Sequence, residues 1–386
     1  MYIRTKLKQT IWTLGCAFGF AAIFSSANAS EMQDVKFGFA APLTGMSASF
    51  GKDLQDGVQL ALNDANAQKI LIGGKPVKFS IVAQDDQADP RVGVQVAQKL
   101  IDSNVAVVIG HFNSGTTIPA SVIYQQAGMV MINPGATNPI INQRGLDHIF
   151  SVLGTDDDNA GRAAKYAVRV SKATRIAILD DRTAFGQGEA DHFEKVVKAE
   201  GGMIVGRQYC DDKTVDFSAQ LTALKGANID LLFFGGLDRQ AAEVAKRMKQ
   251  LGMTAQLVGG GAVADSDFLK LAGPAGEGVM AWEPGSPLEN LPTGKDFGAR
   301  FQRTFGLPAQ SYAPFGYDAT WAAIKAMQKA GSVDPKVYLP AVKDISFSGV
   351  TGPIAFESNG ALKGGSSTLY QVKQGKWVAL VTQTGK

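Results

Sequence analysis

The sequence predicts an α/β fold made of two similar lobes, and three observations carry that expectation. Short, continuously apolar runs alternate with amphipathic segments from Val35 onward. The same rhythm starts again after Ser151. The chain, at 386 residues, is also longer than one hydrophobic core normally sustains, so two cores are the natural expectation. An apolar run without polar alternation is a strand buried on both faces, and such strands separated by helices build a parallel sheet covered on either side.

In the first set the runs at 35–41, 77–83, 105–109 and 130–132 read as strands, with helices at 54–66, 90–102 and 117–127 between them. Asp89 followed by Pro90 supports one helix start, because a carboxylate accepts from the free amides of the first turn and proline suits that turn. In the second set the strands fall at 175–179, 203–208, 229–234 and 256–258, and the helices at 159–170, 188–199, 217–226 and 239–251. After Trp282 the pattern loosens, and Pro284, Pro287 and Pro292 mark a linker. Helices follow at 295–304 and 313–330, and the stretch 349–380 reads as short strands divided by Gly and Asn.

The N-terminus reads as an export signal. Arg4, Lys6 and Lys8 form a basic head, residues 11–24 are almost wholly apolar, and Ala27-Asn28-Ala29 has the small-x-small pattern of a cleavage site. The apolar run is shorter than the roughly 20 residues a membrane helix needs. The mature chain is therefore expected to begin at Ser30, with an uncleaved anchor or a lipid on Cys16 as the alternatives. Removing residues 1–29 takes three of the 38 basic residues and none of the 35 acidic ones, which leaves 35 of each sign. The excess of three basic residues belongs to the signal, and a neutral mature chain has no basic footprint for nucleic acid or an anionic membrane. Cys210 remains alone after processing, so no internal disulfide is expected and the oxidising compartment is inferred from the signal.

In open parallel sheets ligands bind beyond the carboxyl ends of the strands, at the turns into the helices. Those turns here, at 41–51, 84–89, 110–116, 133–138, 180–186, 235–239 and 259–263, are rich in Gly, Ser, Thr, Asn and Asp. Such composition suits a site of backbone amides and small hydroxyls. Enzyme chemistry finds little support. His111, His148 and His192 have no metal-ligand spacing, there is no GxSxG elbow, and the glycines at 259–261 lack the context of a dinucleotide fingerprint. The acids at 85–86 and 156–158 read as helix caps or solvated groups. No enzyme activity, cofactor or metal is expected.

At these same turns the sequence resembles the periplasmic binding proteins of branched-chain amino acid ABC transporters, over nearly the whole mature chain. The resemblance is carried by APLTGMSASFGKDLQDGVQLALNDAN at 41–66, DDQADP at 85–90, GHFNSGTTIPAS at 110–121, INPGATNP at 132–139, DDRTAFGQG at 180–188, FFGGLDRQA at 233–241 and YAPFGYDA at 312–319. It implies two Rossmann-like lobes with parallel-rich sheets, joined by three hinge crossovers, the type I periplasmic binding protein fold. The N-terminal lobe would take 30–153 and 282–365, and the C-terminal lobe 154–281 and 366–386. It also implies a small-molecule ligand in the interlobe cleft, delivery to a membrane permease, and a periplasmic monomer that acts without nucleic acid. A ligand sensor on the same fold is the competing role.

The resemblance implies a carboxylate grip at Ser114 and, one strand later, Gly135, Ala136 and Thr137. Hydroxyls and amides at a helix start donate well to an anion. Asn113 either donates to ligand or caps the following helix. The apolar wall falls to Phe50, Phe112 and Phe185, of which Phe50 and Phe185 read as lying in glycine-flanked turns. Relatives commonly carry tyrosine at the position of Phe185, an acid at Gly261 and an aromatic residue at Leu237. A buried ammonium needs a paired charge, and Asp238 is the nearest candidate in these turns. Otherwise the ligand is an aliphatic or aromatic carboxylate without an amine.

Overall fold

A computed structural model describes residues 1–2 and 32–385 of the chain. The expected signal segment lies outside the described residues. The chain opens with strand β1 (Gln33–Ala41), helix α1 (Ala48–Ala67), β2 (Leu71–Ile72), β3 (Lys75–Asp85), α2 (Pro90–Asp102), β4 (Val107–Gly110), α3 (Ser114–Gln126), β5 (Met131–Asn133), α4 (Ile140–Gln143) and β6 (Ile149–Ser151). Their sheet has the order β2-β3-β1-β4-β5-β6, parallel throughout except for the short β2. Every residue of β4, β5 and β6 is buried, which is why these strands read as continuous apolar runs.

A second sheet follows from α5 (Asp156–Lys165), β7 (Ile176–Asp180), α6 (Ala184–Ala199), β8 (Ile204–Tyr209), α7 (Ser218–Gly226), β9 (Leu231–Gly235), α8 (Asp238–Gln250), β10 (Gln256–Gly259), α9 (Ser266–Ala272) and β11 (Met280–Pro284). The chain then returns to the first sheet with α10 (Gly294–Phe305), α11 (Ala313–Ala330), α12 (Pro335–Lys343) and the hairpin of β12 (Ser346–Ser348) and β13 (Pro353–Ala355). It ends in β14 (Ser366–Lys373) and β15 (Lys376–Thr384), which extend the second sheet to the order β15-β14-β11-β10-β9-β7-β8. Helix α11 is apolar almost all round because it is sandwiched between α1 and the first sheet, within the core that includes Phe37, Ile109 and Ile324.

The chain thus passes between the sheets three times, as expected, and the three passages touch. Gly365 approaches Gly154 so closely that a Cβ on it would lie 3.0 Å from the Gly154 Cα. Gly285 N–H donates to the Ser366 carbonyl at 2.8 Å, and the Ser286 and Ser366 hydroxyls are 3.1 Å apart.

Helices α2 and α11 have the bounds read from the sequence, and Asp89 caps α2 by accepting from the Arg91 amide at 2.8 Å. Phe50 and Phe185 differ from expectation: each lies in the first turn of a helix, α1 and α6, not in a turn between elements. The glycines beside them are there for close approach. A Cβ on Gly51 would collide with the Pro42 carbonyl, and one on Gly186 with Asp181 and the Gly235 carbonyl. Strands β6 and β11 also exceed the expectation, since the first is only three residues long and the second ends on Pro284 at the start of the supposed linker.

Candidate functional site

Residues that follow the carboxyl ends of strands in both sheets meet in one chamber. From the first sheet come Phe112, Asn113 and Ser114 after β4, with Gly135 and Thr137 after β5. From the second come Phe185 on α6, Leu237 after β9 and Ala262 after β10, and Tyr312 closes the chamber from the start of α11. The chamber holds about 20 Å³, room for a water but not for an amino acid, and adjoins a cleft of about 660 Å³ bounded by both sheets' loops. The two sides also bond directly, through Asn138 Nδ2 donating to the Ala184 carbonyl at 2.6 Å.

The donor side is built by β4, β5 and the start of α3. Asn133 Oδ1 accepts from the amides of Gly135 at 3.1 Å and Ala136 at 2.8 Å, which folds the turn that presents Thr137. Gly135 is required there, because a Cβ would lie 2.8 Å from the Phe112 ring. Its amide is engaged within the turn, and Ala136 packs into the core on the other side of the sheet, so neither is a free donor. Ser114 Oγ does not cap α3. It accepts from the Asn138 amide at 3.3 Å and keeps its proton for another acceptor. Asn113 makes no side-chain cap either, and its Oδ1 is buried without a partner. Thr116 and Thr117 are the helix-internal hydroxyls, both donating to the Asn113 carbonyl.

The wall is aromatic. Phe112 packs edge-on against Tyr312 with centroids 4.8 Å apart and stacks on Phe50 at 5.0 Å. Phe50 therefore supports the wall from behind and does not line the chamber. Tyr312 was missed from the sequence because its placement depends on a distant residue: Asp53 on α1 accepts the amides of Gln310, Tyr312 and Ala313. A carboxylate at the amino end of α11 is favoured by the free amides and the helix dipole.

Acidic groups are concentrated behind this chamber. Asp238 is buried, and its carboxyl faces Asp265, the cap of α9; burial first, then that neighbour, pushes Asp238 up to about 9. Glu189 on α6 accepts the Gly261 amide at 3.0 Å through Oε1 and has no partner at Oε2. Asp156 was expected to cap a helix or face water, yet it is 1% exposed with both carboxyl oxygens unpartnered, and burial pushes it up to about 7. Its neighbours behave as expected, with Asp157 pairing with His192 at 2.9 Å and Asp158 lying 3.6 Å from Arg162. Gly261 adjoins the chamber without lining it. A Cβ there would have Glu189 Oε1 at 3.9 Å and Phe185 Cζ at 4.0 Å. Among the described residues no cluster of three or more His, Cys, Asp or Glu is arranged to hold a metal, and no helix is long and apolar enough to cross a membrane.

A cleft between two such sheets, fed by the loops at their carboxyl ends, is the arrangement of a solute receptor, and the sequence matches the profile of the periplasmic binding proteins across residues 34–376. The chain belongs to that family. Its members bind solutes and are not enzymes. The chain is 32% identical over 334 residues to the Leu/Ile/Val-binding protein homolog 1 of Brucella suis, covering 84% of this chain and 87% of that one. Its fold matches a leucine-binding protein from Thermotoga maritima at TM-score 0.83 and 24% identity, covering 90% of this chain and 98% of the other. An ABC transporter substrate-binding protein from Desulfitobacterium hafniense, solved in complex with Leu, matches at TM-score 0.75 and 28% identity, covering 90% and 100%.

Proposed function

We propose that this chain is the extracytoplasmic solute-binding component of an ABC importer, and that it captures a hydrophobic amino acid of the branched-chain type between its lobes. The observation that carries this reading is the chamber together with the cleft it adjoins. Hydroxyls suited to an anion, Ser114 and Thr137, stand beside an apolar wall of Phe112, Phe185 and Tyr312, with the two sheets contributing from opposite sides. The bound Leu of one relative and the names of the others support the ligand class. The working form is a periplasmic monomer beginning at Ser30 that presents its ligand to a membrane permease. Its lobes, 30–153 with 282–365 and 154–281 with 366–386, open and close about the passages near Gly154, Gly285 and Gly365. A ligand that touches both sides favours the closed arrangement by its differential contacts.

A second reading keeps the transport role and gives the site an aliphatic or aromatic carboxylate without an amine. It is favoured by Gly261, which brings no charge into the chamber. A thermal-shift panel of the amino acids and their deaminated analogues tests both, since a ligand that prefers the native state raises the melting temperature. Leucine, isoleucine or valine should give the largest shifts. A panel in which only amine-free carboxylates stabilise the protein would replace the first reading by the second.

A further inference from the structure

Phe185 and Glu189 lie one turn apart on α6 and so share a face of the helix. Phe185 lines the chamber, and Glu189 lies behind it, 0% exposed. The glycine run after β10 is shaped around that carboxylate. A Cβ on Gly260 would collide with the Glu189 carboxyl group, and the Gly261 amide holds Oε1 at 3.0 Å while Oε2 stays unpartnered. A Cβ at Gly261 would have as its nearest atoms Pro284 Cδ at 3.6 Å, Glu189 Oε1 at 3.9 Å and Phe185 Cζ at 4.0 Å. Those are ordinary contact distances for a small group seated there.

On the other side, the Asp156 amide donates to the Thr137 carbonyl at 2.9 Å, and Thr137 lines the chamber. Both carboxyl oxygens of Asp156 are unpartnered, as are both polar atoms of the Asn159 side chain. Among the described residues no Lys, Arg or His forms an ion pair with Glu189 or Asp156. A buried carboxylate without a cation is costly, and burial is normally tolerated only where a partner arrives.

We infer that Glu189, assisted by Asp156, holds the ammonium group of the bound amino acid, with that ammonium seated in the space beside Gly261. This rests on the reading of the cleft as the solute site, with Ser114 and Thr137 on the ligand carboxylate. The acid that pairs the amine then comes from α6 and not from the turn after β10, where Asp238 lines the wider cleft and is turned to Asp265 with one carboxyl oxygen unpartnered. Glu189 thereby sets specificity: it favours zwitterions through an ion pair that carboxylates lacking the amine do not form.

Titration calorimetry on the mature chain tests this, with leucine and 4-methyl-2-oxopentanoate as probes. The parent should bind leucine and discriminate against the oxo acid. Glu189→Gln should weaken leucine about tenfold or more, the worth of a charged hydrogen bond, while the oxo acid affinity stays within about twofold and so reports an intact fold. Asp238→Asn should leave leucine affinity unchanged. On the parent alone, leucine binding should release protons to the buffer and oxo acid binding should not, because burial, reinforced by Asp156, holds the empty site's Glu189 well above the usual carboxyl range. Unchanged leucine affinity in Glu189→Gln, a loss that appears instead in Asp238→Asn, or equal proton counts for the two probes would overturn the inference. A parent that binds the oxo acid as tightly as leucine overturns it while leaving the transport role. A parent that binds no amino acid overturns the proposed ligand class as well.

Discussion

Replacing Ser114 with alanine separates a ligand contact from a helix cap. The hydroxyl makes one hydrogen bond in the protein, accepting from the Asn138 amide at a long 3.3 Å, and takes no part in capping α3. Its loss should therefore cost the empty protein no more than about 1 kcal/mol. Toward a bound carboxylate the same hydroxyl is a donor to a charged acceptor, worth about 1.5–3 kcal/mol. That range corresponds to a dissociation constant raised about tenfold to about 150-fold. Titration calorimetry with leucine, beside denaturant unfolding of the empty variant, reads both quantities. Equal affinity in variant and parent would mean that Ser114 serves only Asn138, and the placement of the carboxylate would be refuted.

Asp156→Asn should flatten the pH dependence of stability. The carboxyl has a folded value of about 7 against an ordinary 3.8, so the folded state binds the extra proton, and stability falls as pH rises from about 4 through about 7. The variant should therefore be more stable than the parent at pH 8 and similar near pH 4 in urea unfolding; parallel pH curves would refute this. Gly51→Ala should destabilise by about 1–3 kcal/mol, because its Cβ collides with the Pro42 carbonyl, whereas Gly226→Ala, which meets nothing within 4 Å, should be neutral or stabilising by up to about 1 kcal/mol. Denaturation midpoints read the pair, and equal shifts would contradict the close-approach role of Gly51.

Much of the fold was legible because its signals are local. Asp89-Pro90 and the apolar face of α2 lie within one stretch of chain, and so do the continuous buried runs of β4, β7 and β9. The starts of α1 and α6 were hidden because Gly51 and Gly186, which serve contacts with Pro42 and Gly235, look like turn residues from their own neighbourhood. Phe112, Asn113, Ser114, Thr137, Phe185 and Leu237, which the resemblance named within the turns at the strand ends, line the chamber. Tyr312 was not named as a site residue, since only the contact with Asp53 puts it there. The buried acids were the least visible. The helical spacing of Phe185 and Glu189 was present in the sequence, but the emptiness of Gly260 and Gly261 that seats the carboxylate exists only once α6 and β10 are packed.

Capture between two moving lobes is tested most directly by small-angle scattering of the empty and leucine-saturated protein. Loops of both sheets line the cleft, and Asn138 already reaches the Ala184 carbonyl across it. A ligand that adds contacts on both sides should shift the population toward the closed arrangement and lower the radius of gyration. Superposable curves from samples in which calorimetry confirms bound leucine would contradict closure and favour a pocket confined to one lobe.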